Sequence, residues 1–140
     1  MSDMLAMGQK ILNDQPFSRL LKTEMLHFAI GEVTLKIPIT PDLLQQYGFV
    51  HGGVLGYAAD NALSFAGGSV LQMAIVSSEY KVNFMRPAVG EFLLAQGSVL
   101  HAGKTQAVCR ADIYVSKDGV EKLCATAQGT IVKVNLEGKN

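Results

Sequence analysis

Asp60 stands in a stretch otherwise free of charge, Val54-Leu55-Gly56-Tyr57-Ala58-Ala59-Asp60-Asn61-Ala62-Leu63-Ser64-Phe65-Ala66. A helix that is apolar nearly all round is a buried helix. A carboxylate inside one is costly unless it is paired, hydrogen-bonded or protonated, and carboxylates so constrained in clefts are candidate catalytic groups. His51-Gly52-Gly53 opens the same segment. A glycine-rich helix start presents unpaired backbone N–H groups at a positive dipole end, which suits an anion or a carbonyl oxygen gathering charge. The competing reading is structural. An Asp held by Ser or Asn partners, with glycines only for tight packing, gives the same letters.

Spacing adds a constraint. Gly52 and Asp60 are eight residues apart, about 12 Å along a helix axis with roughly 80° of rotation. His51 and Asp60 fall on nearly opposite sides. One copy of this helix cannot bring the amide end and the carboxylate to the same small substrate atom. Two antiparallel copies about a two-fold axis can, and isologous dimers are the commonest oligomers. The expectation is a site shared across a dimer interface.

The remaining composition bounds the class. A chain of 140 residues reads as one domain, 1–140, large enough to bury a core without metals or disulfides. Twelve basic and 12 acidic residues give zero formal charge, which offers no electrostatic footprint for nucleic acid. No apolar run has the length of a membrane span, and the start lacks the pattern of a signal peptide. The expected setting is cytoplasmic. Cys109 and Cys124 fit no metal spacing and read as reduced core thiols.

The elements that must position the site follow from periodicity. Met4 to Asn13 reads as an amphipathic helix and Phe17 to Leu21 as a further helical turn. Met25 to Ala29 is a weak strand. Glu32 to Ile39 alternates as a half-buried strand does. Pro41 to Gly48 is a connection. The central helix is expected from Gly52 to Gly67 or Gly68. Four strands follow, at Ser77–Phe84, Phe92–Leu100, Thr105–Val115 and Leu123–Val134, with Lys117-Asp118-Gly119 as a hairpin turn. Leu136 to Asn140 reads as a frayed tail. Helix, two strands, long apolar helix and four strands predict an α+β domain in which an antiparallel sheet wraps the helix.

These residues resemble a known family. The run from Phe17 through Gly31, Gly48, His51-Gly52-Gly53 and Ala59-Asp60, then Met85-Arg86-Pro87-Ala88 and Gly103-Lys104-Thr105, is similar to the PaaI-type hotdog-fold acyl-CoA thioesterases. The likeness spans nearly the whole chain. It implies a sheet wrapped round the long helix, dimers with a continuous sheet, and dimers pairing into homotetramers. It also implies roles. Gly52, with Gly53, would polarise the thioester carbonyl, and Asp60 of the partner subunit would be base or nucleophile. His51 would lie near the leaving thiolate and Ser77 or Ser78 near the attacking water. Arg86 and Lys104 would meet the phosphates of coenzyme A. Asn61, on the helix beside Asp60, is a further substrate-binding candidate. The family commonly has Asn six residues before the His, where this chain has Gln45. No metal and no cofactor is implied, since coenzyme A belongs to the substrate. Two other classes remain open: a hotdog dehydratase and a non-catalytic acyl-CoA binding module.

Overall fold

The computed structural model describes residues 2–72 and 74–136. Two helices open the chain, α1 (Asp3–Asn13) and α2 (Pro16–Leu20). Ser2 caps α1 by accepting the Leu5 N–H at 3.0 Å, and Pro16 starts α2 at a position whose N–H no helix would use. Strands β1 (Glu24–Ala29) and β2 (Glu32–Pro38) follow, then a short 3-10 turn at Pro41–Leu43 inside the connection. The long helix α3 spans Gly52–Leu71. Strands β3 (Ile75–Phe84), β4 (Phe92–Ala102), β5 (Gln106–Lys117) and β6 (Val120–Lys133) complete the fold.

All six strands join one antiparallel sheet in the order β1-β2-β4-β5-β6-β3. Register shifts interrupt four of the five strand pairs, at Met25/His27, Ser77/Glu79, Val99/His101 and Ile113/Tyr114. Such bulges bend a strand and raise its twist, which lets the sheet curl. The curled sheet wraps α3, which packs on β2 through β6. This is the hotdog architecture, an α+β fold with the helix as its core. Leu35, Ile37, Leu63, Leu93, Ile113 and Ile131 are fully buried between helix and sheet. The approach is close enough that side chains would not fit at two points. A Cβ on Gly97 would lie 2.4 Å from the Ala62 carbonyl oxygen, and one on Gly67 would lie 2.7 Å from Ile131.

That contact explains where the helix ends. Gly67 and Gly68 look like a stop signal, yet α3 continues to Leu71. Gly67 serves packing, and the helix closes at Gln72, whose φ is 56° and whose N–H donates to the Gly68 carbonyl. The Asp118-Gly119 turn has positive φ at both residues, 52° and 77°, as a tight two-residue hairpin requires. β6 starts directly after it, earlier than the apolar pattern indicated, because Val120 to Lys122 pair with β5 while exposed to solvent. The expected frayed tail, beyond Leu136, lies outside the described residues. Among those described, no helix is long and apolar enough to cross a membrane.

Candidate active site

The start of α3 separates the two glycine amides. His51 is the N-cap, in extended backbone at φ −60° and ψ 136°. Its Nδ1 accepts the Gly53 N–H at 2.8 Å, so in the neutral ring the proton sits on Nε2. Its carbonyl accepts the N–H groups of Val54 and Leu55. Gly53 must be glycine for this cap, since a Cβ there would lie 2.9 Å from Nδ1. The Gly53 amide is thereby committed within the protein. The Gly52 N–H has no acceptor among the described residues, and Gly52 is exposed. A free amide at the positive end of a 20-residue helix is the donor an acyl oxygen needs.

Asp60 is placed differently from the sequence expectation. It is half-buried, not enclosed, because α3 is buried on every side but one. The open stripe carries Gly52, Gly56, Asp60, Ser64 and Gly68, four residues apart each time. Ser64 Oγ donates to Asp60 Oδ1 at 3.5 Å. The small residues of the stripe lie along β3. A methyl group on Gly52 would sit 3.7 Å from the Phe84 ring, one on Gly56 3.9 Å from the Tyr80 hydroxyl, and one on Gly68 3.4 Å from Ile75. Helix and strand therefore run in opposite directions, with Gly52 at the Phe84 end. β3 is an edge of the sheet and exposes Val76, Tyr80 and Phe84. Unbroken helix from Gly52 to Asp60 keeps amide and carboxylate about 12 Å apart along the axis.

The other candidates divide. Ser77 is half-buried opposite Ile131, while Ser78 sits in the bulge and donates its hydroxyl to the Thr130 carbonyl at 3.3 Å. Gln45 lies in the loop before α3, and its side-chain oxygen accepts the Tyr47 N–H. Asn61 is buried and donates to the Tyr57 hydroxyl at 3.1 Å and to Ser18 Oγ at 3.4 Å. Arg86 and Lys104 are both exposed, at opposite ends of β3. The Arg86 N–H donates to the Cys124 carbonyl beside the Phe84 end. The Thr105 carbonyl accepts from Lys133, whose partner in the sheet is Ile75. The length of β3, about 33 Å for 10 residues, lies between them within one protomer.

A polar hub joins α2 to α3 through residues distant in the sequence. The Tyr57 hydroxyl meets Ser18 Oγ at 2.6 Å, Thr23 Oγ1 at 2.8 Å and Asn61 Nδ2. It ties α2 and the loop after it to α3 one turn before Asp60. The i, i+4 spacing of Tyr57 and Asn61 was the only local signal. Cys109 and Cys124 are fully buried, and burial pushes both thiols up to about 11. Neither is a thiolate at neutral pH, so neither is a candidate nucleophile.

A curled antiparallel sheet wrapped round one long helix, with a free glycine amide at the helix start and one carboxylate on its open stripe, defines a hotdog-fold protein. The comparisons narrow this. The thioesterase superfamily profile matches residues 47–122, which hold the helix start, Asp60, the β3 edge and Arg86. A solved thioesterase family protein from Silicibacter pomeroyi is 30% identical, with a TM-score of 0.86, covering 91% of this chain and 96% of that one. A variant of the phenylacetic acid degradation protein PaaI from Thermus thermophilus is 26% identical at a TM-score of 0.76, covering 86% and 100%. The E. coli PaaI protein, at 22% identity and a TM-score of 0.81 over 95% and 97%, shares the fold. The chain belongs to the thioesterase superfamily, and its hotdog domain is of the PaaI type.

Proposed function

We propose that this protein hydrolyses acyl-CoA thioesters at a site shared by two copies of the chain. The observation that carries the reading is the uncommitted Gly52 amide on the same helix as Asp60, with no way for one helix to bring them together. Pairing of two β3 edges about a two-fold axis would cover Val76, Tyr80 and Phe84 and set two antiparallel α3 helices side by side. Asp60 of one subunit would then face the Gly52 amide of the other. The same pairing would bring Arg86 of one subunit toward the end of the sheet that holds Lys104 of the partner subunit. That supports a phosphate site built from both chains. Dimers would pair further into tetramers.

In this reading the Gly52 N–H and the helix dipole hold the thioester carbonyl oxygen as negative charge develops on it. Asp60 takes a proton from the attacking water, or attacks the carbonyl itself. With Asp60 as base, the water oxygen bonds the carbonyl carbon, the C–S bond breaks, and the leaving thiolate collects the proton Asp60 took. With Asp60 as nucleophile, the C–S bond breaks as a mixed anhydride forms. Water then hydrolyses that anhydride, freeing the acid and Asp60 and supplying the proton the thiolate collects. Ser77, half-buried on the adjacent edge strand, would orient the water; Ser78 is already bonded to Thr130. His51 keeps its Nε2–H available for the departing sulfur while Nδ1 holds Gly53. The test is release of free thiol from a panel of acyl-CoA substrates by wild type and by Asp60→Asn. Thiol release that depends on Asp60 supports the reading. A folded wild-type protein that releases none refutes it.

A further inference from the structure

A groove of about 750 Å³ lies between α1 and the second half of α3, closed at one side by β1 and the residue after it, Ile30. Its walls have a definite origin. α1 lies tight on β1, since a Cβ on Gly8 would fall 2.6 Å from both the Met25 sulfur and the Phe28 ring. Gly8 and Leu12 are buried on that side. The adjoining face of α1 carries Met4, Met7 and Ile11, one stripe at helical spacing, and this stripe lines the groove. Met7 and Ile11 are 53% and 47% exposed, and with Ile30, also exposed, they line one groove rather than standing singly on the surface. Phe28 and Phe65, packed edge to face at 5.6 Å, form the floor.

One end of the groove reaches the proposed site. Asn61 and Ser64 line it, and Ser64 bonds Asp60. From Asn61 to Gln72 it follows eleven residues of α3 and its cap, about 16 Å. Of its polar side chains, Gln72 at the far end is exposed, and the others are already bonded within the protein. Ser69 donates to the Ala66 carbonyl and accepts the Gly31 N–H, and Asn61 and Gln15 bond within the Ser18 hub. Short of that end, what the groove offers an occupant is mostly carbon.

We propose that this groove is the acyl pocket and that Met7 and Ile11 make it selective for flexible aliphatic chains of medium to long length. The inference rests on the thioesterase reading and goes further by naming the acyl class. An aliphatic chain starting at Asp60 uses the whole length, whereas a single aromatic ring leaves most of it empty. Thioether side chains reshape easily around a chain with many conformers. Each methylene held in an apolar pocket is worth roughly tenfold in discrimination, so the preference should climb with chain length until the groove is full.

The experiment compares butanoyl-, benzoyl- and dodecanoyl-CoA with wild type, Ile11→Asp and Met7→Trp. Both positions are half-exposed on α1, so the variants should fold; melting temperatures check this. Wild type should show a kcat/KM for dodecanoyl-CoA at least roughly tenfold above butanoyl- and benzoyl-CoA. The two variants should lose that advantage and keep butanoyl-CoA turnover. Equal use of the three substrates, or variants that leave the profile unchanged, overturns the pocket and leaves the thioesterase reading standing. Failure to release thiol from any of them overturns the thioesterase reading. Calorimetric titration with dodecanoate then decides the groove separately. Saturable binding abolished by Ile11→Asp supports it, and no binding removes it.

Discussion

Gly52→Pro removes one hydrogen-bond donor and little else. Proline lacks the N–H, and Gly52 is the first residue of α3, where that N–H has no acceptor among the described residues. First helical positions favour proline, because its φ is preset and no intrahelical bond is lost. The residue before a proline must be extended, and His51 already is, at φ −60° and ψ 136°. Space is also available, since the nearest atom to a Cβ at 52 is 3.7 Å away on the Phe84 ring. The folded state should therefore survive, with a melting temperature at or slightly above that of wild type. Loss of a single oxyanion donor costs about 2.7–4 kcal/mol, or a fall of about a hundred- to a thousandfold in kcat. Gly52→Ala keeps the N–H and makes only an ordinary contact with Phe84, so it should stay close to wild type. The assay is steady-state thiol release from an acyl-CoA, with thermal melts of both variants. A folded Gly52→Pro whose kcat lies within roughly tenfold of wild type would mean less than about 1.4 kcal/mol from this amide, and the carbonyl would have to be held elsewhere.

Asp60→Asn keeps the shape and the Ser64 contact but removes the base or nucleophile, so thiol release should fall by at least about a hundredfold with melting unchanged. Mixing Asp60→Asn with Gly52→Pro should restore activity through hybrid dimers in which one of two sites is intact; demonstrated subunit exchange without recovery would show that the site is not shared. Arg86→Ala and Lys104→Ala should each raise KM for acyl-CoA and leave kcat alone, with less effect at high salt and none on a short thioester lacking the nucleotide. A change confined to one of the two would show that the phosphates meet a single end of the sheet. Tyr57→Phe strips the hub of its shared hydroxyl and should cost about 1–3 kcal/mol, read as a lower melting temperature.

The sequence was legible where cause and effect are neighbours in the chain. Alternation in Glu32–Ile39 marked β2, and Asp118-Gly119 marked the β5–β6 hairpin, because strand faces and turn dihedrals are set by adjacent residues. Long-range reasons were hidden. Gly67 looks like a terminator until Ile131 is known to press on it from 64 positions away. The Tyr57 hub joins residues 39 and 34 positions apart, and no pattern in either segment announces the pairing. Gln45 shows the reverse. Its tie to Tyr47 spans two residues, yet amide side chains in loops have many possible local partners, so spacing alone could not select this one.

Asp60 shows how composition misleads about burial. The residues around it are uncharged, and that made the helix look enclosed. Yet Gly56, Ser64 and Gly68 are small rather than large and apolar, and they all fall on the side of Asp60. A helix face of small residues buries little area of its own and lets another backbone come close. In this protomer that face is shared with the free edge of β3, where Val76, Tyr80 and Phe84 are left in water. An apolar edge strand is a surface that soluble proteins cover or blunt. Covering it with a second copy would remove the exposed side chains from water and close the open stripe over Asp60. It would also bring a Gly52 amide to a carboxylate it cannot reach within its own helix. The feature that looks like an exception in one chain, a carboxylate on a half-open stripe, is what a site completed by two chains requires of each.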